Sequence, residues 1–169
     1  FPNSVDLHNI CGASYAKLGK FDPAIKAFNQ VILIKPDHAK TYYNMGNAFK
    51  EQGKQDDAVE AYKKALSFGL QHAEAYNNLG NILQEQGRLK ESITAFKMAI
   101  SLKPDYAEAY NNMGNALRQQ GMLDEAIQAF NQALTFKPEY PDMYNNLGIA
   151  LQDKGKMEAA VKAFKNALS

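Results

Sequence analysis

Gly12, Gly46, Gly80, Gly114 and Gly148 recur at a constant interval of 34 residues. A second set, Gly19, Gly53, Gly87, Gly121 and Gly155, keeps the same interval seven positions later. Ten of the 11 glycines therefore occupy two register positions of one repeating unit. A fixed period of this length predicts a solenoid of stacked repeats, because one such unit cannot bury its apolar face alone. Stacks of this kind display surfaces rather than enclose catalytic pockets.

Composition narrows the partners. Lys+Arg number 19 against 18 Asp+Glu, and no basic run stands out. Neither a phosphate-tracking nucleic-acid surface nor binding to an anionic membrane is expected. The longest strongly apolar run, Val31-Ile32-Leu33-Ile34, is far too short to span a bilayer. The single cysteine, Cys11, excludes an internal disulfide framework. It falls at an apolar helix position and is expected to be a small buried hydrophobe. No signal-peptide pattern is visible, which favours the cytoplasm, but the chain begins at Phe1 rather than Met.

Taking Val5, Ala39, Ala73, Ala107 and Pro141 as position 1 places the two glycines at positions 8 and 15. Position 4 reads His8, Tyr42, Tyr76, Tyr110, Tyr144, position 7 reads Cys11, Met45, Leu79, Met113, Leu147, and position 11 reads Tyr15, Phe49, Leu83, Leu117, Leu151. These spacings make one face of a helix, with the position-8 glycine admitting a close neighbour. The position-15 glycine ends that helix in the left-handed region.

A second helix follows in each unit. Asp22-Pro23 supplies its expected N-cap, with acidic residues recurring at Asp56, Asp124 and Glu158. Its apolar stripe runs through position 21 (Ile25, Val59, Ile93, Ile127, Val161) and position 24 (Phe28, Tyr62, Phe96, Phe130, Phe164). Small residues at position 20 allow tight packing, and Pro36, Pro104 and Pro138 stop the helix at position 32. Each unit is thus two antiparallel helices of about 13 residues.

With these residues in register, the sequence resembles the tetratricopeptide repeat along essentially its whole length. The resemblance implies an all-α, right-handed solenoid of five antiparallel helix pairs. Residues 5–38, 39–72, 73–106, 107–140 and 141–169 are its repeats, and residues 1–4 are the tail of a preceding one. His8 or tyrosine replaces the family's frequent tryptophan at position 4, and Leu70 replaces the proline after the second repeat. The Gly69-Leu70-Gln71-His72 junction is therefore expected to be more deformable. Ser169 falls three positions short of its repeat's proline site, and no capping helix follows. The segment is expected to come from a longer array, with open apolar ends that invite self-association.

The first helix of each repeat has another face, which by resemblance lines a concave groove. Position 6 is Asn44, Asn78, Asn112 and Asn146; position 5 carries Asn9, Asn77, Asn111 and Asn145, with Tyr43 in the second repeat. Position 9 adds Asn47, Asn81 and Asn115. Eleven of the 15 asparagines lie on this face. Each costs about 0.5 kcal/mol of helix propensity relative to alanine, so their concentration asks for a reason. A primary amide carries two donors and two acceptor sites, and can satisfy both groups of a peptide bond. A row of them suits an extended polypeptide held by its backbone. The competing reading is that the position-6 amides bridge neighbouring helices.

The row resembles the asparagine ladder in the tetratricopeptide arrays of O-linked N-acetylglucosamine transferases, and similar bacterial arrays. That implies substrate-backbone contacts by Asn44, Asn78, Asn112 and Asn146, and a transferase domain elsewhere in the parent chain. The first repeat has Ile10 at position 6, so the ladder fades there. A carboxylate clamp would need lysine at position 5, and none is present. No catalytic, cofactor or metal constellation stands out: His38 and His72 share a loop position without ligand partners. The expected function is a protein-binding scaffold, not an enzyme. A self-assembly module stacking end to end is the alternative.

Overall fold

The computed structural model describes residues 4–168; Phe1 to Asn3, which carry most of the expected preceding-repeat tail, and Ser169 lie outside the described residues. The helices in chain order are α1 (Val5–Lys17), α2 (Phe21–Ile34), α3 (Ala39–Glu51), α4 (Gln55–Ser67), α5 (Ala73–Glu85), α6 (Leu89–Leu102), α7 (Ala107–Gln119), α8 (Leu123–Phe136), α9 (Pro141–Asp153) and α10 (Met157–Ala167). No strand occurs among the described residues. The chain divides into two compact units, Phe1–Ala75 and Tyr76–Ser169.

The two glycine registers do different work. Gly19, Gly53, Gly87, Gly121 and Gly155 have φ between 70° and 81° and sit just past the odd-numbered helices. In the first turn the Gly19 N–H donates to the Ala16 carbonyl at 3.0 Å and the Lys20 N–H to Tyr15 at 2.9 Å. This is the Schellman arrangement that satisfies a helix's last carbonyls. The same pair of bonds recurs at every position-15 glycine, through Lys54, Arg88, Met122 and Lys156.

That turn corrects the expected N-caps. Lys20, Lys54, Arg88, Met122 and Lys156 close one helix and are themselves the N-cap residues of the next, without a side-chain cap bond. The following helix therefore starts two residues earlier than an acidic N-cap implied. Asp22, Asp56, Asp124 and Glu158 lie in its first turn, where a negative charge favours the helix dipole. The side-chain cap seen is on α1, where Ser4 Oγ accepts from the Leu7 N–H at 3.3 Å.

The position-8 glycines let the paired helices approach. A Cβ built on Gly114 would fall 2.7 Å from the Phe130 ring, and one on Gly12 would fall 2.4 Å from Phe28. Those rings are the centres of the packing. In the first unit Phe28 joins Ala24, Tyr42, Met45, Ala61 and Ala65. In the second, Phe96 and Phe130 join Ile93, Leu117, Leu134, Met143, Leu147 and Leu151. Position-20 residues fit beneath them, and in the third repeat Ser92 Oγ donates to the Gly80 carbonyl at 2.7 Å, so its hydroxyl is satisfied.

One further expectation changes. Cys11 is exposed rather than buried. Its counterpart Met45 is covered by the core that contains Ala24 and Phe28 of the preceding helix pair, whereas α1 is the first helix described. The second-repeat junction also has a stop of its own. Gly69, the glycine outside both registers, takes φ 85°, and the Leu70 N–H donates to the Ala65 carbonyl at 3.1 Å. A Schellman turn there replaces the missing proline.

Candidate functional site

Position 5 of one first helix and position 6 of the next lie 35 residues apart, and the structure joins such pairs across repeats. Asn112 Nδ2 donates to Asn77 Oδ1 at 3.2 Å, and Asn146 Nδ2 to Asn111 Oδ1 at 3.0 Å. Asn44 Nδ2 lies 3.5 Å from Asn9 Oδ1, which also accepts from Thr41 Oγ1 at 3.3 Å. Each rung runs the same way, from a position-6 N–H to the position-5 carbonyl of the preceding repeat. Asn77, beneath such a rung, is 6% exposed. Asn145, beyond the last rung, is exposed, and the position-6 residues Asn44, Asn78, Asn112 and Asn146 are all half-buried.

The bridging role and the ligand-facing role are thus compatible. A rung uses one donor of the position-6 amide; the chemistry of the group leaves a second N–H and the carbonyl. At position 9, Asn47 Oδ1 accepts the Tyr62 hydroxyl at 2.6 Å, which ties it to its own repeat's second helix. Asn81 and Asn115 belong to repeats with Phe96 and Phe130 at that helix position, which have no hydroxyl to offer. The sequence register contained this distinction, since Tyr62 is the one tyrosine in a column of phenylalanines.

Charges around the row are paired locally. Lys137 Nζ meets Glu108 at 2.8 Å, and Arg118 meets Asp153 at 3.0 Å. The hydrogen bond to Glu108 holds the Lys137 ammonium above its ordinary range. His72 Nδ1 lies 3.1 Å from the Glu74 carboxylate. Tyr43 replaces the amide in the second repeat, and its ring packs 4.8 Å from that of His72 and 6.0 Å from that of Tyr62. Among the described residues no group of His, Cys, Asp and Glu side chains could hold a metal ion. No described helix is long and apolar enough to cross a membrane. A cleft of about 580 Å³ that sequence reading did not anticipate lies elsewhere, lined by Pro138, Glu139, Tyr140, Pro141, Tyr144 and Asn166.

Helix pairs joined by glycine turns, packed on position-24 rings and displaying a polar face, define a helical-repeat protein. The TPR repeat family matches residues 12–53, 46–87, 80–121 and 114–155, and a further tetratricopeptide repeat matches residues 142–169. The chain belongs to the tetratricopeptide repeat family, whose fold serves protein–protein interaction. A crystal structure of MamA protein is similar over 97% of this chain and 90% of its own, at 32% identity and TM-score 0.93. A second MamA structure is 33% identical, with 93% and 92% covered and TM-score 0.89. YrrB shares the fold at 22% identity, with 98% and 86% covered and TM-score 0.89. No curated protein matches the chain.

Proposed function

We propose that this chain is an interaction scaffold that holds an extended polypeptide by its backbone on the amide face of its first helices. Asn44, Asn78, Asn112 and Asn146 make the principal contacts. Asn77, Asn111 and Asn145 support them, with Asn47, Asn81 and Asn115 alongside. The observation that carries this reading is the rung between Asn112 and Asn77, repeated between Asn146 and Asn111. It orients each amide before a ligand arrives, so the ordering cost of about 0.5–1.5 kcal/mol per side chain falls on folding rather than binding. The fold-related YrrB is described as a TPR protein with an unusual peptide-binding site, which agrees with this use of the fold. By resemblance to the transferase arrays, the scaffold would select protein substrates for a catalytic domain of a longer chain.

The test is a variant carrying Asn112→Ala and Asn146→Ala, probed with a fluorescein-labelled, unstructured Ser/Ala peptide. Helical circular dichroism should persist while affinity falls about ten-fold, the worth of two neutral hydrogen bonds. Unchanged affinity would sink the proposal. A second reading, self-association, draws on exposed Leu7, Ile10 and Leu18 at α1 and Met157, Val161 and Leu168 at α10. Light scattering over a concentration series tests it, and a strict monomer counts against it.

A further inference from the structure

We propose that Lys40 and Tyr43 form an acid-reading notch, which takes an Asp or Glu side chain of the bound segment; this rests on the amide-face reading above. Two columns of the register break in the same repeat. Position 2 is acidic in Asp6, Glu74, Glu108 and Asp142 but is Lys40 in the second repeat. Position 5 is asparagine in the other four repeats but Tyr43 here. Residues three apart on a helix are neighbours on one face. The Lys40 ammonium accordingly sits 4.8 Å from the centroid of the Tyr43 ring.

The surroundings fix this pair and leave its charge available. Tyr43 is half-buried, with the His72 and Tyr62 rings against it, so the aromatic platform under the ammonium is held in place. Lys40 is exposed. Glu74, the acid at position 2 of the next repeat, lies against His72. A ligand carboxylate can accept from the ammonium and from the tyrosine hydroxyl together, and charge-assisted bonds of this kind are the stronger class.

Such a notch answers a problem that the amide row creates. Amides that grip a backbone do not distinguish one residue of the segment from the next, so the segment could slide. At the equivalent positions an acidic ligand residue is repelled by Asp6 or Asp142 and finds Glu74 and Glu108 lying against His72 and Lys137, whereas Lys40 attracts it. Specificity arises from that difference between registers.

The experiment compares the labelled Ser/Ala peptide carrying a central pair of glutamates with the same peptide carrying glutamines. Anisotropy titrations at low salt use the wild type, Lys40→Glu and Tyr43→Phe, the last keeping the ring packing. The glutamate peptide should bind the wild type about five-fold tighter, as expected of a partly exposed charge contact of roughly 1 kcal/mol. Lys40→Glu should abolish or reverse that preference, Tyr43→Phe should reduce it, and the glutamine peptide should be indifferent to both. Equal affinity of the two peptides for the wild type overturns the notch but leaves the amide face standing. So does a glutamate preference that survives Lys40→Glu, or a Lys40→Glu loss common to both peptides. Absence of binding by either peptide to the wild type overturns the amide-face reading and the notch with it.

Discussion

The amide row differs between the two units although the scaffold beneath it does not. In the second unit the rungs are 3.2 and 3.0 Å long, and Asn77 is buried beneath one of them. In the first unit the Asn9–Asn44 rung stretches to 3.5 Å and shares its acceptor with Thr41, and the next position-5 residue is Tyr43. Yet the glycine turns recur in both, and in both an aromatic ring at position 24 packs against each position-8 glycine, with Tyr62 in the first unit the one tyrosine among phenylalanines. One backbone period therefore carries two surfaces: a uniform hydrogen-bonding edge, and a stretch where side-chain identity has been varied.

The largest expected effect tests whether the scaffolds are equal. Phe28 and Phe130 are both 0% exposed, each against its position-8 glycine. Phe28→Ala and Phe130→Ala should each cost about 3–5 kcal/mol in chemical denaturation. A much smaller cost for Phe28→Ala would mean the units differ in packing, and the difference in rungs could no longer be assigned to the face alone.

The rungs themselves come next. A double-mutant cycle on Asn77 and Asn112 should show a coupling of about 0.5–1.5 kcal/mol. Asn112→Ala alone should lose about 1 kcal/mol, because the unmet carbonyl of buried Asn77 outweighs the roughly 0.5 kcal/mol gained in helix propensity. The cycle on Asn9 and Asn44 should give nearly zero, since its separation exceeds the usual N–H···O range of about 2.7–3.2 Å. Equal couplings in the two cycles would erase the contrast.

The smallest effect concerns the position-2 acids that oppose Lys40. Lys137 is raised by its hydrogen bond to Glu108, so its folded pKa exceeds its unfolded one. The pair's small contribution is fully present below the ordinary lysine value of about 10.4 and is lost as pH rises through the raised value. Thermal melts across that range should show a slope that Glu108→Gln reduces, the remainder coming from Lys64, which Glu60 raises in the same way. A slope unchanged by that substitution would show that Glu108 is not neutralised as described.

Much of this was legible in the sequence because period and side-chain volume are local properties. Gly114 and Phe130 in register already implied a close helix approach, and Gly121 implied a helix end. The N-caps were misread because Lys20 serves two helices at once, a consequence of turn geometry rather than of residue preference. Cys11 was misread because burial at position 7 depends on the helix pair before it. The rungs were visible only as an open alternative: pairing Asn112 with Asn77 requires the stacking offset between repeats, which no single helix encodes. The loose first rung had a trace in Ile10 and Tyr43, but its length depends on Thr41 competing for the Asn9 carbonyl.

The central claim is that the amide face recognises backbone, and side-chain amide NMR addresses it directly. The Asn112 and Asn146 NH2 cross-peaks are followed while the Ser/Ala peptide is added, and again with the same peptide N-methylated along its backbone. The account predicts that the first peptide shifts both cross-peaks and that N-methylation abolishes shifts and binding together. Equal binding of the N-methylated peptide, or binding that leaves both cross-peaks unmoved, would contradict it.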